Sequence, residues 1–225
     1  MTNNDNISAF DSHEYDEKIR KTLPYYDEFY KQITSIVKLM YPESLRWLDI
    51  GCGTGRMADE VFREKIALQE FVLLDNAEKM IEIVKHRYPD PNLDFINGSV
   101  LEMNQKEKFD VVTAVQVFHY LSDKERVIAM ENCRKALHKH GILFYFENFC
   151  PYNQQNVPLF LQRWKEYQIS QGKSEEEADK HVKRYGKDYF PITIDEHMKI
   201  LDECGFSNCE IIWLSNMQVG IMAIK

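Results

Sequence analysis

Strand-like and helix-like segments alternate through the middle of this sequence, and the alternation limits the possible folds more than any other feature. Apolar runs such as Leu45–Ile50 and Phe109–Val115 are separated by amphipathic stretches such as 56–65 and 123–138. Strands that are connected through helices run parallel, and the connecting helices then cover both faces of the sheet. We therefore predict an α/β protein with a mostly parallel sheet.

The last part of the sequence predicts a different strand direction. Two β-rich runs, 209–215 and Gln218–Ile224, are separated by only two residues, a spacing typical of a hairpin. The final strand is therefore expected to be antiparallel. The stretch 193–204 before the hairpin is an amphipathic helix, with Thr193 as its expected N-cap and Gly205 as its expected C-cap.

Two segments lie outside the alternation. Residues 1–44 have a helical pattern that Pro24 interrupts, and we predict that they form an N-terminal helical lid on a domain that spans 45–225. Residues 151–190 are a largely helical insert, predicted to be a substrate cap. The insert has seven Lys and Arg against six Asp and Glu, so the net charge of −8 divides into +1 for the insert and −9 for the remainder.

A glycine-rich loop joins the first strand of the alternation to its first helix. Residues 49–55 read DIGCGTG, and glycines there allow a tight turn and a close approach of backbone N–H groups to a ligand. Asp49 could meet a cationic amino group of that ligand. Arg56 stands where a dinucleotide-binding fingerprint has its third glycine. The loop thus indicates a ligand site that differs from a dinucleotide site.

A second acidic residue follows the next strand. Asp75 ends the apolar run 71–74, twenty-four residues after Gly51. A carboxylate at the tip of the second strand is suited to hydrogen bonding with ribose hydroxyls. The alternative is that Asp75 caps the following helix. Together with the glycine loop, this spacing favours a nucleoside ligand.

These motifs resemble the class I S-adenosylmethionine (SAM)-dependent methyltransferase family, over about 45–225. The resemblance implies a Rossmann-like seven-stranded sheet with an antiparallel C-terminal strand, a helical cap, SAM as cofactor and methyl transfer as the activity. It implies contacts of the glycine loop with the methionine part of SAM, of the second-strand acid with ribose, and of later loops with adenine and the sulfonium end. The corresponding residues are Asp49, Gly51, Cys52, Gly53, Asp75, Asn76, Ser99, Val100, Val115 and Gln116.

A narrower resemblance is to the carboxy-SAM synthase branch, which makes carboxy-SAM from SAM and prephenate for wobble-uridine modification of tRNA. It rests on the LPYY run at 23–26, on the acid-amide pair at 75–76 and on the insert. This resemblance implies that Tyr26 covers the cofactor and that Arg184 holds a carboxylate. The branch has Gly-Cys-Ser where residues 51–53 read Gly-Cys-Gly, the ordinary methyltransferase form. Ordinary methyl transfer is therefore favoured.

The candidates for chemistry lie where parallel strands end. His119 follows the fourth strand and is a candidate base, and Glu147 ends the fifth; each could instead be a packing residue. The sulfonium carbon is already electrophilic, so a catalytic residue is not required. Arg184 could receive an anionic substrate. Trp164 and Tyr185 could stack a substrate or attach the cap to the core.

Composition limits the compartment and the partners. The net charge of −8 disfavours nucleic-acid binding and leaves a small molecule as the expected partner. Five scattered cysteines without a Cys-x-x-Cys pair predict neither a disulfide framework nor a metal site. The polar first residues predict no secretory signal, and no run is long enough to span a membrane, so we expect a cytoplasmic protein. The aromatic insert is a surface through which two copies could pair as a homodimer.

We predict a SAM-dependent methyltransferase that acts on a small molecule, and the charge of the insert is compatible with an anionic one. Three alternatives are open: a carboxy-SAM synthase-like enzyme, a SAM-binding module without catalysis, and an NAD-dependent oxidoreductase. The last is disfavoured by Arg56 and by the C-terminal hairpin. The sequence does not identify the methyl acceptor.

Overall fold

In the computed structural model, which describes residues 14–225, seven strands form one sheet. In chain order they are β1 (Leu45–Ile50), β2 (Leu68–Asp75), β3 (Leu93–Asn97), β4 (Phe109–Val115), β5 (Leu137–Asn148), β6 (Ser207–Ser215) and β7 (Gln218–Ile224). Their order across the sheet is β3-β2-β1-β4-β5-β7-β6, and β7 runs antiparallel to both of its neighbours. This confirms the predicted Rossmann-like, mostly parallel sheet with its antiparallel C-terminal strand.

Helices connect the strands and extend the chain at the N-terminus and in the insert. They are α1 (Tyr15–Thr22), α2 (Tyr26–Met40), α3 (Arg56–Arg63), α4 (Glu78–Arg87), α5 (Asp123–Ala136), α6 (Val157–Ser170), α7 (Glu175–Val182) and α8 (Ile194–Glu203). The helix predicted at 123–138 ends earlier, and β5 begins at Leu137 rather than at Gly141. The reason is that Leu137 is fully buried opposite Phe109 of β4. The polar residues 138–140 interrupt the apolar pattern, so the sequence does not indicate that the strand begins before Gly141.

The alternation of side chains along the strands divides the core into two layers. On one face, Trp47 of β1 packs with buried residues of α1 to α4 and α6. On the other face, Leu48 packs with buried residues of α5 and α8. The sheet is therefore covered on both sides, as parallel sheets generally are.

Local signals in the sequence determine where α8 begins and ends. The hydroxyl of Thr193 accepts a hydrogen bond from the backbone N–H of Glu196 at 3.3 Å, and the carboxylate of Glu196 accepts one from the backbone N–H of Thr193 at 2.7 Å. This capping box confirms the predicted N-cap. Gly205 has φ +81°, the left-handed conformation expected beyond the C-terminus of a helix.

The N-terminal helices pack on the face of the sheet that carries Trp47. The break at Pro24 separates α1 from α2, and Phe29, Ile33 and Val37 of α2 are fully buried. Residues 1–13 of the predicted lid lie outside the described residues. Within 14–225, no helix is long and apolar enough to cross a membrane, and no group of three or more His, Cys, Asp or Glu side chains could hold a metal ion.

Candidate functional site

A cleft of about 730 Å³, part of it open to solvent, lies at the carboxyl ends of β1, β2 and β4. Ligands of parallel α/β sheets bind at this edge, next to the point where the strand order reverses. The lining combines the glycine loop, the tips of β2 and β4, and the loop after β3. The residues are Tyr15, Ile50, Gly51, Gly53, Leu74, Asp75, Asn76, Met80, Gly98, Ser99, Val100, Val115, Gln116, Val117, Tyr120 and Leu121.

The glycine loop lines this cleft with backbone atoms that no side chain covers. Gly51 has φ +64°, and a Cβ there would collide with the side chain of Val117. Gly53 has φ +52°, but no heavy atom lies within 4 Å of the place where its Cβ would be. The space beside Gly53 is therefore open to a ligand that needs close contact with the loop.

Asp75 is the acidic group of the cleft. One of its carboxylate oxygens accepts from the N–H of Gly53 and the other from the N–H of Ala77, each at 2.9 Å. These two bonds fix the carboxylate at the edge of the cleft. Ala77, not Asp75, is the N-cap of α4, so the helix-cap reading of Asp75 is wrong.

The end of β4 has an unusual backbone conformation. Gln116 has φ +61°, and its N–H donates to the carbonyl of Phe146 at 2.7 Å. Non-glycine residues with positive φ are often held in place at functional sites. This conformation places Gln116 in the cleft beside Val115. Ser99 and Val100 line the part of the cleft that follows β3.

Three residues predicted to contact the cofactor do not line the cleft. Asp49 points to the same face as Trp47 and accepts from the hydroxyl of Thr113 at 2.7 Å. Its burial raises the pKa of the carboxyl to about 7. The thiol of Cys52 is buried behind the loop, where it points to the carbonyl of Gly53. Tyr26 is buried in α2, where its hydroxyl accepts from Tyr30 at 2.6 Å.

Tyr15, which no sequence motif singled out, is an aromatic residue of the N-terminal helices that reaches the cleft. It lies in α1 and lines the cleft. The signal available in the sequence is the spacing of Tyr15, Ile19, Thr22 and Leu23, which places one side of α1 against the protein. Burial raises the pKa of the Tyr15 hydroxyl well above its usual range, so the group stays protonated.

A second, smaller cavity of about 370 Å³, part of it open to solvent, adjoins the cleft and shares Tyr15, Gln116 and Tyr120 with it. Its other walls come from α1, the end of β5, the insert and the turn after β4. They are Ile19, Thr22, Leu23, His119, Asn148, Trp164, His181, Arg184 and Tyr189. Trp164 and Arg184 thus line the same cavity. Tyr185 lines neither cavity, since it packs against Tyr189 at the outer side.

The second cavity has a basic and aromatic lining. Arg184 is its charged residue, and its Nε lies 2.8 Å from a carboxylate oxygen of Asp188. Burial and the neighbouring charges of Lys173 and Arg184 hold the pKa of His181 well below its usual range. Neither Asp nor Glu is among the described lining residues. The hydroxyl of Tyr189 is buried and has no hydrogen-bond partner within residues 14–225.

His119 and Glu147 form a buried pair at the edge of the second cavity. The Nδ1 atom of His119 lies 2.6 Å from a carboxylate oxygen of Glu147. Glu147 also accepts from the backbone N–H groups of Val117, Phe118 and His119 at 2.8 to 3.0 Å. Glu147 itself is fully buried and lines neither cavity, so it does not reach a substrate as a catalytic base would.

Comparison with known proteins indicates the class of protein to which the sheet and its loops are similar. Residues 48–141 match the family model for a methyltransferase domain. Residues 48–141 thus carry a methyltransferase domain. A Thermotoga maritima structure described as a SAM-dependent methyltransferase and possible histamine N-methyltransferase is similar to it, with a TM-score of 0.61, 20% identity and 95% of each chain covered.

Two curated relatives of the methyltransferase have a more specific name. A carboxy-S-adenosyl-L-methionine synthase of Staphylococcus epidermidis is 21% identical over 95% of this chain and 93% of its own length. A protein of the same name from Wolinella succinogenes is 24% identical over 88% of this chain and 84% of its own length.

The residues present in the cleft fit SAM, the cofactor of this enzyme. The bare backbone at Gly53 leaves room for a ligand against the loop, and Asp75 offers a fixed carboxylate. Apolar side chains such as Leu74 and Val100 provide walls for a flat base. Apart from Tyr15, the residues that line the cleft belong to the matched part 48–141, whereas α1 and the insert lie outside it.

Proposed function

We propose that the enzyme transfers the methyl group of SAM to a small carboxylate-bearing molecule that binds in the second cavity. One observation carries the proposal: a cavity with a guanidinium group, and with no acid among its described walls, joins the SAM cleft at Tyr15, Gln116 and Tyr120. An arginine fork binds carboxylates through paired hydrogen bonds. The unpartnered Tyr189 hydroxyl offers a second polar contact.

The proposed placement of SAM follows the cleft from one end to the other. The backbone at Gly51 and Gly53 would contact its methionine part. Asp75 and Asn76 would hold the ribose, and Ser99 and Val100 would flank the adenine. Val115 and Gln116 would lie beside the sulfonium, close to the second cavity. Tyr15, rather than Tyr26, would cover the bound cofactor.

Methyl transfer from isotopically labelled SAM to a panel of small hydroxy- and amino-carboxylic acids tests this function. We expect at least one panel member to be methylated, and Arg184→Gln to lower the efficiency of transfer about 10- to 100-fold through the lost charged hydrogen bonds. Arg163→Gln is the matched control, because Arg163 is an exposed arginine of the same insert. Equal rates for the two variants would exclude Arg184 as the carboxylate ligand.

Carboxy-SAM synthesis, as a step towards tRNA modification, is the second candidate. It is supported by curated relatives of that name that match most of the chain. Gly53 is the residue that departs from that branch, and the structure has space for a serine side chain there. Incubation with SAM and prephenate, followed by mass spectrometry, distinguishes the two: carboxy-SAM as product supports this candidate. Tight SAM binding without any product supports a non-catalytic module.

A further inference from the structure

The hydrogen bonds of Glu147 determine the protonation pattern of His119. Each carboxylate oxygen of Glu147 faces two donors: the N–H groups of Val117 and Phe118 on one side, and the N–H and Nδ1 of His119 on the other. Burial raises the pKa of Glu147, but the charge and hydrogen bonds of His119 and the backbone N–H bonds outweigh it, so the pKa lies below its usual value. An ionised carboxylate only accepts hydrogen bonds. In the neutral form of the His119 ring, the single ring proton is therefore on Nδ1.

The position of His119 is fixed from several sides. Its carbonyl accepts from the N–H of Phe190 at 2.7 Å, and its ring packs on Tyr120 and edge-on against Tyr189, with centroids 4.2 and 5.9 Å away. The ring lines the second cavity. Within residues 14–225, its Nε2 makes no hydrogen bond. An imidazole that is held through Nδ1 in this way offers the Nε2 lone pair as an acceptor.

We propose that His119 is the general base of this enzyme and that Glu147 is its positioning residue. The inference rests on the proposed function. A lone pair of the acceptor forms a bond to the methyl carbon, the electron pair of the carbon–sulfur bond returns to sulfur, and the acceptor's proton moves to Nε2 of His119. The Glu147 carboxylate stabilises the resulting imidazolium, which later releases the proton to water. The acceptor is thus a carboxylate whose hydroxyl, amine or thiol group loses a proton during the reaction.

Other titratable groups also surround the ring. Tyr120 lies in the same turn, and Tyr189, Arg184 and His181 face it across the cavity. His197 of α8 is a further titratable group near His119 and Glu147. Its burial lowers its pKa to about 4, so it is neutral near pH 7. Glu147 is the group among them that contacts Nδ1 directly.

Affinity labelling with bromoacetate tests the proposal without a known acceptor. Bromoacetate is a small carboxylate, and a free imidazole nitrogen displaces its bromide to form a carboxymethyl-histidine. Tryptic peptide 109–124 contains His119 as its one histidine and no cysteine or methionine, so the label can be assigned by mass. We expect His119 to be labelled faster than N-acetylhistidine in the same mixture, and His197, which lines neither cavity, to remain unlabelled. An unlabelled His119 overturns the proposal.

Glu147→Gln tests the positioning role. Its amide would turn an N–H toward Nδ1 and force the ring proton onto Nε2, so labelling at Nε2 should fall at least tenfold. If that variant does not fold, a two-bond ¹H–¹⁵N spectrum of histidine-labelled wild type decides the question. The Nδ1–H tautomer supports the proposal, and the Nε2–H tautomer overturns it.

Catalysis is tested with the carboxylate panel and labelled SAM. We expect His119→Gln to lower methyl transfer about 10²- to 10⁴-fold, the usual contribution of a general base, while SAM affinity in calorimetry changes less than twofold. His197→Gln is the control for loss of a buried histidine. Transfer by His119→Gln within threefold of wild type overturns the proposal. Failure of wild type to bind SAM would instead contradict the proposed function. Labelling of His119 would in that case still support the hydrogen-bonded pair that His119 forms with Glu147.

Discussion

Gly51 and Gly53 belong to one loop, yet a side chain at each would meet different surroundings. Both have positive φ, which costs a non-glycine residue about 1 to 2 kcal/mol. A Cβ at Gly51 would in addition displace Val117, whereas the space at Gly53 is open. We therefore expect Gly51→Ala to lower the free energy of unfolding more than Gly53→Ser does.

Denaturant unfolding of the two glycine variants checks this expectation, with SAM titration as a second readout. Gly53→Ser should remain folded and should reveal whether the serine of the carboxy-SAM synthase branch is compatible with SAM binding here. Equal destabilisation by both substitutions would contradict the described packing of Val117 on the loop.

Asp75 joins the loop, α4 and the proposed ribose contact through one carboxylate. Asp75→Ala removes the acceptor for Gly53 and Ala77 as well as the ligand contact, so we expect SAM affinity to fall about 10- to 100-fold, in line with about 1.5 to 3 kcal/mol for a charged hydrogen bond. Isothermal titration measures it. Asp94→Ala, an exposed aspartate on neighbouring β3, is the control. Equal affinities for wild type and Asp75→Ala would refute the ribose assignment.

At the scale of elements, the insert holds α1 against the second cavity. The indole N–H of Trp164 in α6 donates to the carbonyl of Thr22 in α1 at 2.7 Å, and both residues are fully buried. Lys173, between α6 and α7, also bonds the Thr22 hydroxyl. The C-terminal end of α1 is thus attached to the insert, and α1 carries Tyr15 over the cleft.

Trp164→Phe should loosen this attachment. We expect a loss of about 1 to 3 kcal/mol in stability from the unsatisfied carbonyl, and faster amide hydrogen exchange in α1 than in α5. Leu159→Ala, at an exposed position of α6, should change neither quantity. Unchanged exchange in α1 of Trp164→Phe would show that α1 is held by other contacts.

The elements that follow local rules could be predicted from the sequence, and so could the cleft residues that these elements carry. The glycine loop, Asp75 and Gln116 lie at strand ends, and strand ends meet at one edge of a parallel sheet. The positions of Tyr15 and Tyr26 depend on how α1 and α2 dock, which no local pattern specifies. The orientation of Asp49 depends on the pleat of β1 and on Thr113, and the partnership of His119 with Glu147 depends on the register of β4 and β5.

At the scale of the whole molecule, the buried Asp49 makes stability depend on pH. Burial, together with the charge of Asp75 and against the Thr113 hydrogen bond, raises its pKa from 3.8 to about 7. The folded state therefore binds a proton that the unfolded state has lost, and this group's contribution to stability falls as pH rises from about 4 to about 7. Asn at this position keeps the acceptor for Thr113 and does not ionise.

Unfolding of wild type and Asp49→Asn at several pH values measures the effect. The difference in free energy of unfolding should shift in favour of the variant by up to about 1.4 kcal/mol per pH unit between pH 4 and 7, and should level off above pH 7. A difference that does not vary over this range would mean that Asp49 is ionised throughout.

The central claim is that the cleft at the ends of β1, β2 and β4 binds SAM for methyl transfer. Mass spectrometry of the small molecules released by denaturing freshly purified protein tests it most directly. We expect SAM or its demethylated product, S-adenosylhomocysteine, in wild type, and less of either in Asp75→Ala. Carboxy-SAM in their place would favour the second candidate, and a nicotinamide dinucleotide would contradict the account.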